Sequence, residues 1–197
     1  MQGIPVFPLE GSAISKRVDL DRISLIVNAV GSPDFPAGQY IFYSKSHSLW
    51  YRYKQVNQSW TGEQLWLSNA RESNVKFDAN GYPFTTYINN EDLSLNILYY
   101  VDGSVQNQVI APAGRFPTVL IDDVDTWVFW VPFPYTNALN YVQGCSNFST
   151  IKPYTFTPPS EIVMMNMEYL PDKRWVFTFS CEGYPSNTIY TAYTSTE

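Results

Sequence analysis

Charge is what this chain has least of. Only 15% of its 197 residues are Asp, Glu, Lys or Arg, where an ordinary globular chain carries about 25%. The 12 Lys and Arg are outnumbered by 18 Asp and Glu, for a formal net charge of −6. Basic residues gather nowhere beyond the isolated pairs Lys16-Arg17 and Lys173-Arg174. Phosphate backbones are bound by neutralising them with Lys and Arg, so nucleic acid is excluded as a partner.

One histidine and two cysteines leave little for familiar catalytic chemistry. No Ser-His-Asp or Cys-His set can form without His47, which lies in the Ser-rich turn Ser44–Ser48 and reads as an exposed loop residue. The same shortage leaves an ordinary zinc site unfilled. Cys145 and Cys181 are too few for a disulfide scaffold; they read as two unbridged thiols, with a bridge between neighbouring units as the alternative. Long apolar runs are also missing. None approaches the ~20 residues of a membrane-spanning helix, so no membrane insertion is expected. The segment Met1–Pro8 lacks the basic and apolar regions of a secretory signal.

What the chain does have is aromatics, at 17% of residues, including 15 Tyr, 12 Phe and 6 Trp. Together with the low charge they exclude intrinsic disorder. The 14 Pro and 10 Gly interrupt the sequence too often for long helices. Val18–Val30 is the best helical stretch, but its centre, Ile23–Val27, is mostly β-branched and reads as a buried strand. Elsewhere short aromatic and β-branched runs alternate with turn residues, the signature of an all-β domain.

Four aromatic runs look alike: Leu49–Tyr53, Ile97–Val101, Trp127–Val131 and Trp175–Phe179. They start 48, 30 and 48 residues apart. Each is preceded by a strand-like piece (39–43, 83–88, 117–121, 161–165) and followed, after a turn, by another run beginning near 65, 109, 139 and 189. Asp102-Gly103 between two such runs signals a tight hairpin. Repeats of this length with three or four antiparallel strands suggest the stacked small sheets of a β-propeller; a β-sandwich or jelly roll has a similar rhythm and stays open as the alternative. The boundaries read as an N-terminal arm and strand over 1–37 and a single all-β repeat domain over 38–197.

From Gln39 onward this strand rhythm resembles sialidase-type and lectin-type β-propellers, and the β-rich tail and attachment proteins of bacteriophages. The fragments Val101-Asp102-Gly103-Ser104 and Ser59-Trp60-Thr61-Gly62 are similar to parts of the sialidase Asp-box. The full box is absent, so no catalytic residue is carried over from that resemblance.

The acidic group Asp122, Asp123, Asp125 lacks the spacing of a calcium loop and reads as a solvated hairpin. Set beside Glu91 and Asp92, the same carboxylates would line one rim of a propeller. Asp102, Asp125, Glu161 and Glu168 are the carboxylates from which a glycosidase pair would be drawn, but spacing alone pairs none of them. No cofactor motif is present and none is expected. Trp50, Trp127 and Trp175 read as core at equivalent repeat positions. The loop aromatics Trp60, Tyr135 and Tyr184 are the candidate ligand-binding residues, because sugar rings pack their C–H faces on aromatic rings. All three are expected on one face of a propeller.

These features point first to a non-enzymatic structural or attachment protein of a virus particle, a bacteriophage tail, fibre or head surface, made in the host cytoplasm. Its partners would be other virion subunits or copies of itself, with a cell-surface glycan as a further ligand. The alternatives are a small secreted carbohydrate-binding lectin whose signal peptide has been removed and, last, a glycoside-processing propeller enzyme.

Overall fold

Fifteen strands and no helix make up the described part of the protein. The computed structural model describes residues 23–123, 125–134, 138–144, 148, 151–154, 161–181 and 190–193. In chain order they form four antiparallel sheets. The first holds β1 (Ile23–Ala29), β2 (Gly38–Lys45), β3 (Ser48–Lys54) and β4 (Gln64–Leu67). The second holds β5 (Ala70–Phe77), β6 (Pro83–Asn89), β7 (Leu95–Val101) and β8 (Ser104–Ala111). The third holds β9 (Gly114–Ile121), β10 (Thr126–Pro132), β11 (Leu139–Gln143) and β12 (Lys152–Tyr154). The fourth holds β13 (Ile162–Tyr169), β14 (Trp175–Cys181) and β15 (Tyr190–Tyr193).

Within each sheet neighbouring strands follow one another in sequence, as tight hairpins dictate. Asp102 and Gly103 take φ of 50° and 74°, the left-handed pair expected of the β7–β8 turn. Ser46 and His47 do the same between β2 and β3, and both are exposed.

The sheets stack face to face, and the burial pattern shows why. Six of the seven residues of β6 are buried, so both of its faces are covered. An alternating strand would leave one face to water; these strands are apolar on both and need a sheet on each side. Three cores result. Phe35, Tyr40, Phe42, Leu49, Tyr87 and Leu98 fill the space between the first and second sheets. Ile97, Ile110, Val119, Val128, Trp130 and Val142 fill that between the second and third. Phe129, Leu139, Met165, Met167, Phe177 and Phe179 fill that between the third and fourth. This is the propeller arrangement, not a two-sheet sandwich. The N-terminal strand joins it through β1, which pairs with β2.

The first strand of each sheet lies innermost: β1 touches β5, β5 touches β9 and β9 touches β13. Each of these junction strands carries a register shift near its start, at Ile23/Ile26, Arg71/Asn74, opposite Phe129/Val131 and at Ile162/Met164. Bulges re-aim side chains, and two of these put Glu72 and Phe116 at φ of 47° and 52°.

The repeat register differs from that expected. The runs at 49–53 and 97–101 are third strands, whereas those at 127–131 and 175–179 are second strands. That accounts for the short interval of 30 residues between the runs at 97 and 127. Trp50 therefore does not correspond to Trp127 and Trp175. All three are half-buried; Trp127 and Trp175 meet each other at 4.8 Å between ring centroids, and the fully buried tryptophan is Trp130. Aromatic runs fall on second and third strands alike here, so aromatic content does not mark strand position.

Candidate functional site

Where the inner strands converge, a row of polar side chains runs through the interior. Asn74, Thr118 and Asn166 are each the fifth residue of their strand, on β5, β9 and β13. Asn74 and Thr118 are buried, and Asn166 is half-buried. A buried polar group must be paired, and these pair with one another and with the next strand. Asn74 Oδ1 accepts the Val119 backbone N–H at 3.1 Å, and Thr118 Oγ1 accepts that of Met167 at 3.3 Å. Asn74 Nδ2 and Thr118 Oγ1 both donate to Asn166 Oδ1 at 3.4 Å.

Two residues further along, the same strands place Lys76, Leu120 and Glu168. Lys76 Nζ forms an ion pair with Glu168 Oε1, which also accepts from Asn166 Nδ2 at 3.0 Å. Here the axis opens into a cavity of about 170 Å³ lined by Val27, Lys76, Phe77, Leu120, Ile121, Met167, Glu168 and Tyr169. The lining combines a carboxylate, an ammonium and a phenol with apolar walls. That mixture suits a ring-shaped ligand bearing hydroxyl groups.

The rim is built from the turn after β9. Tyr169 Oη donates to Asp123 Oδ2 at 3.0 Å, and Lys173 Nζ approaches the same oxygen at 3.2 Å. The hydrogen bond from Lys173, and then that from Tyr169, hold the Asp123 carboxyl below the usual carboxylate range; Lys173 is pushed up in return. Asp122 accepts the Trp127 indole N–H at 3.0 Å and the Asp125 backbone N–H at 2.8 Å. These acids cap their own turn and hold the fourth sheet. Among the described residues no group of His, Cys, Asp and Glu could hold a metal ion.

At the opposite end of the axis Arg115 lies between two carboxylates, 4.0 Å from Glu72 and 3.6 Å from Glu161. Glu72 Oε2 also accepts the Phe116 backbone N–H at 2.7 Å, so the bulges of β5 and β9 are locked together. Of the carboxylates named from sequence, Glu168 reaches the cavity and Glu161 the far end. Asp102 sits on an outer hairpin, and Asp125 in the β9–β10 turn.

Trp60 lies in the β3–β4 connection, half-buried, with Lys54 Nζ 5.2 Å from its ring centre. That connection is tied down by Arg52 and Tyr53, which donate to Thr61 at 2.7 and 3.0 Å. It leaves from Lys54, which pairs with Gln39 beside the β1 terminus, at the cavity end of the axis. Tyr135 and Tyr184 lie outside the described residues. The strands leading to them end at Pro132 and Cys181, paired with Gly114 and Ile162 at the Arg115 end. Trp60 follows a third strand; the expectation that all three aromatics share one face involves two residues that lie outside the described ones. Glu91 and Asp92 likewise lie at the opposite end from Asp122: Glu91 accepts from Asn69, which directly precedes β5. Cys181 is a buried free thiol in the third core, and Cys145 lies outside the described residues.

Sequence reasoning missed Lys76, Asn74, Thr118 and Asn166. The one regularity they share in the sequence is the spacing of Asn74, Thr118 and Asn166, 44 and 48 residues apart.

No protein-family model and no curated protein matches the chain. Solved structures do match in fold. An exo-β-1,3-galactanase from Clostridium thermocellum aligns with TM-score 0.53 at 9% identity, over 79% of this chain and 42% of its own. A protein described as an exo-β-1,3-galactanase from Bifidobacterium bifidum S17 aligns with TM-score 0.54 at 12% identity, over 78% of this chain and 60% of its own. A xylan β-1,4-xylosidase from Bacillus halodurans C-125 aligns with TM-score 0.54 at 10% identity, over 79% and 38%. The chain thus spans less than two thirds of the length of these structures. The likeness is one of β-propeller fold. It corrects the expectation of a non-enzymatic virion, bacteriophage or tail protein, since the structures sharing the fold are glycoside hydrolases. Residues brought together from strands more than 40 positions apart write no local motif in the sequence.

Proposed function

We propose that the chain binds a glycoside in the axial cavity and processes it. The observation that carries this is the placement of Glu168, Lys76 and Tyr169 around a cavity at the convergence of propeller strands. The glycoside hydrolases that share the fold support the same reading. Cleavage of a glycosidic bond needs two carboxylates flanking it. At this mouth they would be Glu168 and Asp123, the latter one phenol away through Tyr169. Asp123, held ionised by Lys173 and Tyr169, suits the base or charge-stabilising role and not that of general acid.

The test is hydrolysis of nitrophenyl β-galactoside and β-xyloside and of β-1,3-galactan and xylan oligosaccharides, with calorimetric binding alongside. Turnover that Glu168→Gln lowers at least ~100-fold, with oligosaccharide binding retained, is the expected result. Turnover unchanged by Glu168→Gln moves the chemistry elsewhere. Neither binding nor turnover on any of these sugars overturns the proposal.

A further inference from the structure

Sheet edges invite pairing with another chain, and shortness is a common protection against it. The outermost strand of the first sheet, β4, has only 4 residues. The outer strand of the second sheet is different. β8 runs for 8 residues, Ser104–Ala111, without proline, glycine or charge. It pairs with β7 on one side, and among the described residues no strand pairs with its other side. Along it Val105 and Val109 are 56% and 58% exposed, on the same face as Asn107 by strand alternation.

The sequence of this edge is its own mirror. Val105-Gln106-Asn107-Gln108-Val109 reads identically in both directions. In an antiparallel pair of identical strands, a two-fold axis through Asn107 sets it opposite its own copy. Gln106 then faces Gln108 of the second copy, and Val105 faces Val109. Every cross-strand pair is thus like with like and uncharged. Each copy carries a net charge of −6, so two copies repel over most of their surface; the uncharged β8 is a place where they meet without setting like charges opposite each other.

We infer that β8 is the contact through which two copies of this chain associate, by antiparallel β8–β8 pairing about Asn107. The interface is isologous and closed, so it stops at a dimer. Opposed Val105–Val109 pairs cover the exposed apolar side chains, and the outward N–H and C=O groups of β8 find partners. One strand pair buries less than a stable interface usually does, so the dimer is weak and concentration-dependent. The inference rests on the β8 edge alone and is independent of the axial cavity.

Sedimentation velocity on the whole chain over a concentration series tests it. The wild type is expected to shift from monomer to dimer. Val105→Lys with Val109→Lys, and separately Val105→Glu with Val109→Glu, should each weaken the dimer at least ~10-fold, because like charges then face each other. An equimolar mixture of the two variants should form the dimer again. Hydrogen exchange of the wild type adds a readout needing no variant: amides of 105–109 should become more protected as concentration rises. A wild type that stays monomeric with unchanged protection overturns the inference. So does a dimer that both charged variants retain, and so does a failure of the mixture to restore it.

Discussion

The side chain of Asn74 accepts the backbone N–H of Val119 at 3.1 Å, joining the innermost strands of the second and third sheets. Thr118 repeats the contact one sheet further, accepting from Met167 at 3.3 Å. Glu72 forms the same kind of link with Phe116 near the start of the strands. These side chain to backbone hydrogen bonds, directional where apolar packing is not, hold neighbouring sheets in register at the axis.

Removing one of these links leaves a buried N–H without a partner. Asn74→Ala and Thr118→Val should each cost about 1–3 kcal/mol. In a chain of this size that is about 2–4 °C in Tm per kcal/mol. Urea denaturation followed by tryptophan fluorescence measures it, and no change for either variant would mean the axial links are not what sets the register.

The turns after β1 and β5 meet closely. Gly81 has φ of +80°, and a Cβ there would stand 2.5 Å from the Gly31 backbone. Backbone cannot swing aside as a side-chain tip can. Gly81→Ala should therefore destabilise by more than the ~1 kcal/mol of the left-handed conformation alone, read as a lowered urea midpoint.

Trp130 and Trp50 should behave differently although both lie on apolar strands. Trp130 is 1% exposed in the second core, and Trp130→Ala is expected to cost about 3–5 kcal/mol. Trp50 is half-buried and lies near Lys45, whose Nζ is 5.5 Å from its ring. Its replacement by Ala should cost clearly less, and equal losses in thermal unfolding would contradict the difference in burial.

Acid should weaken the hold of the third sheet on the fourth. Asp123 titrates below its ordinary value of 3.8 in the folded chain because of Lys173 first and Tyr169 second. The unfolded chain then binds the proton more readily, so this contribution is complete above about pH 4–5 and is lost as pH falls through the folded value. Asp123→Asn should flatten the acid limb of a stability-versus-pH curve, with little change near pH 7 beyond the lost ion pair.

The hairpins were legible because turn chemistry is local: Asp102-Gly103 announced the β7–β8 turn by its two left-handed residues. The propeller was legible because runs apolar on both faces require sheets on both sides. The register of the repeat was not, since a second strand such as Trp127–Val131 and a third such as Leu49–Tyr53 carry the same kind of aromatic run. Of the loop aromatics, Tyr135 and Tyr184 lie outside the described residues. Trp60 shares the cavity's end of the axis, but Lys54 already lies over its ring.

By itself, then, the sequence determined that short apolar strands would pair with their neighbours and stack, because alternation and turns act within a few residues. Which strands lie innermost was decided only by packing the four sheets together. Along the chain Asn74, Thr118 and Asn166 share no local motif. They become a connected row, with Lys76 and Glu168 facing a cavity beyond them, because stacking brings residues 44 and 48 positions apart to the same level of one axis.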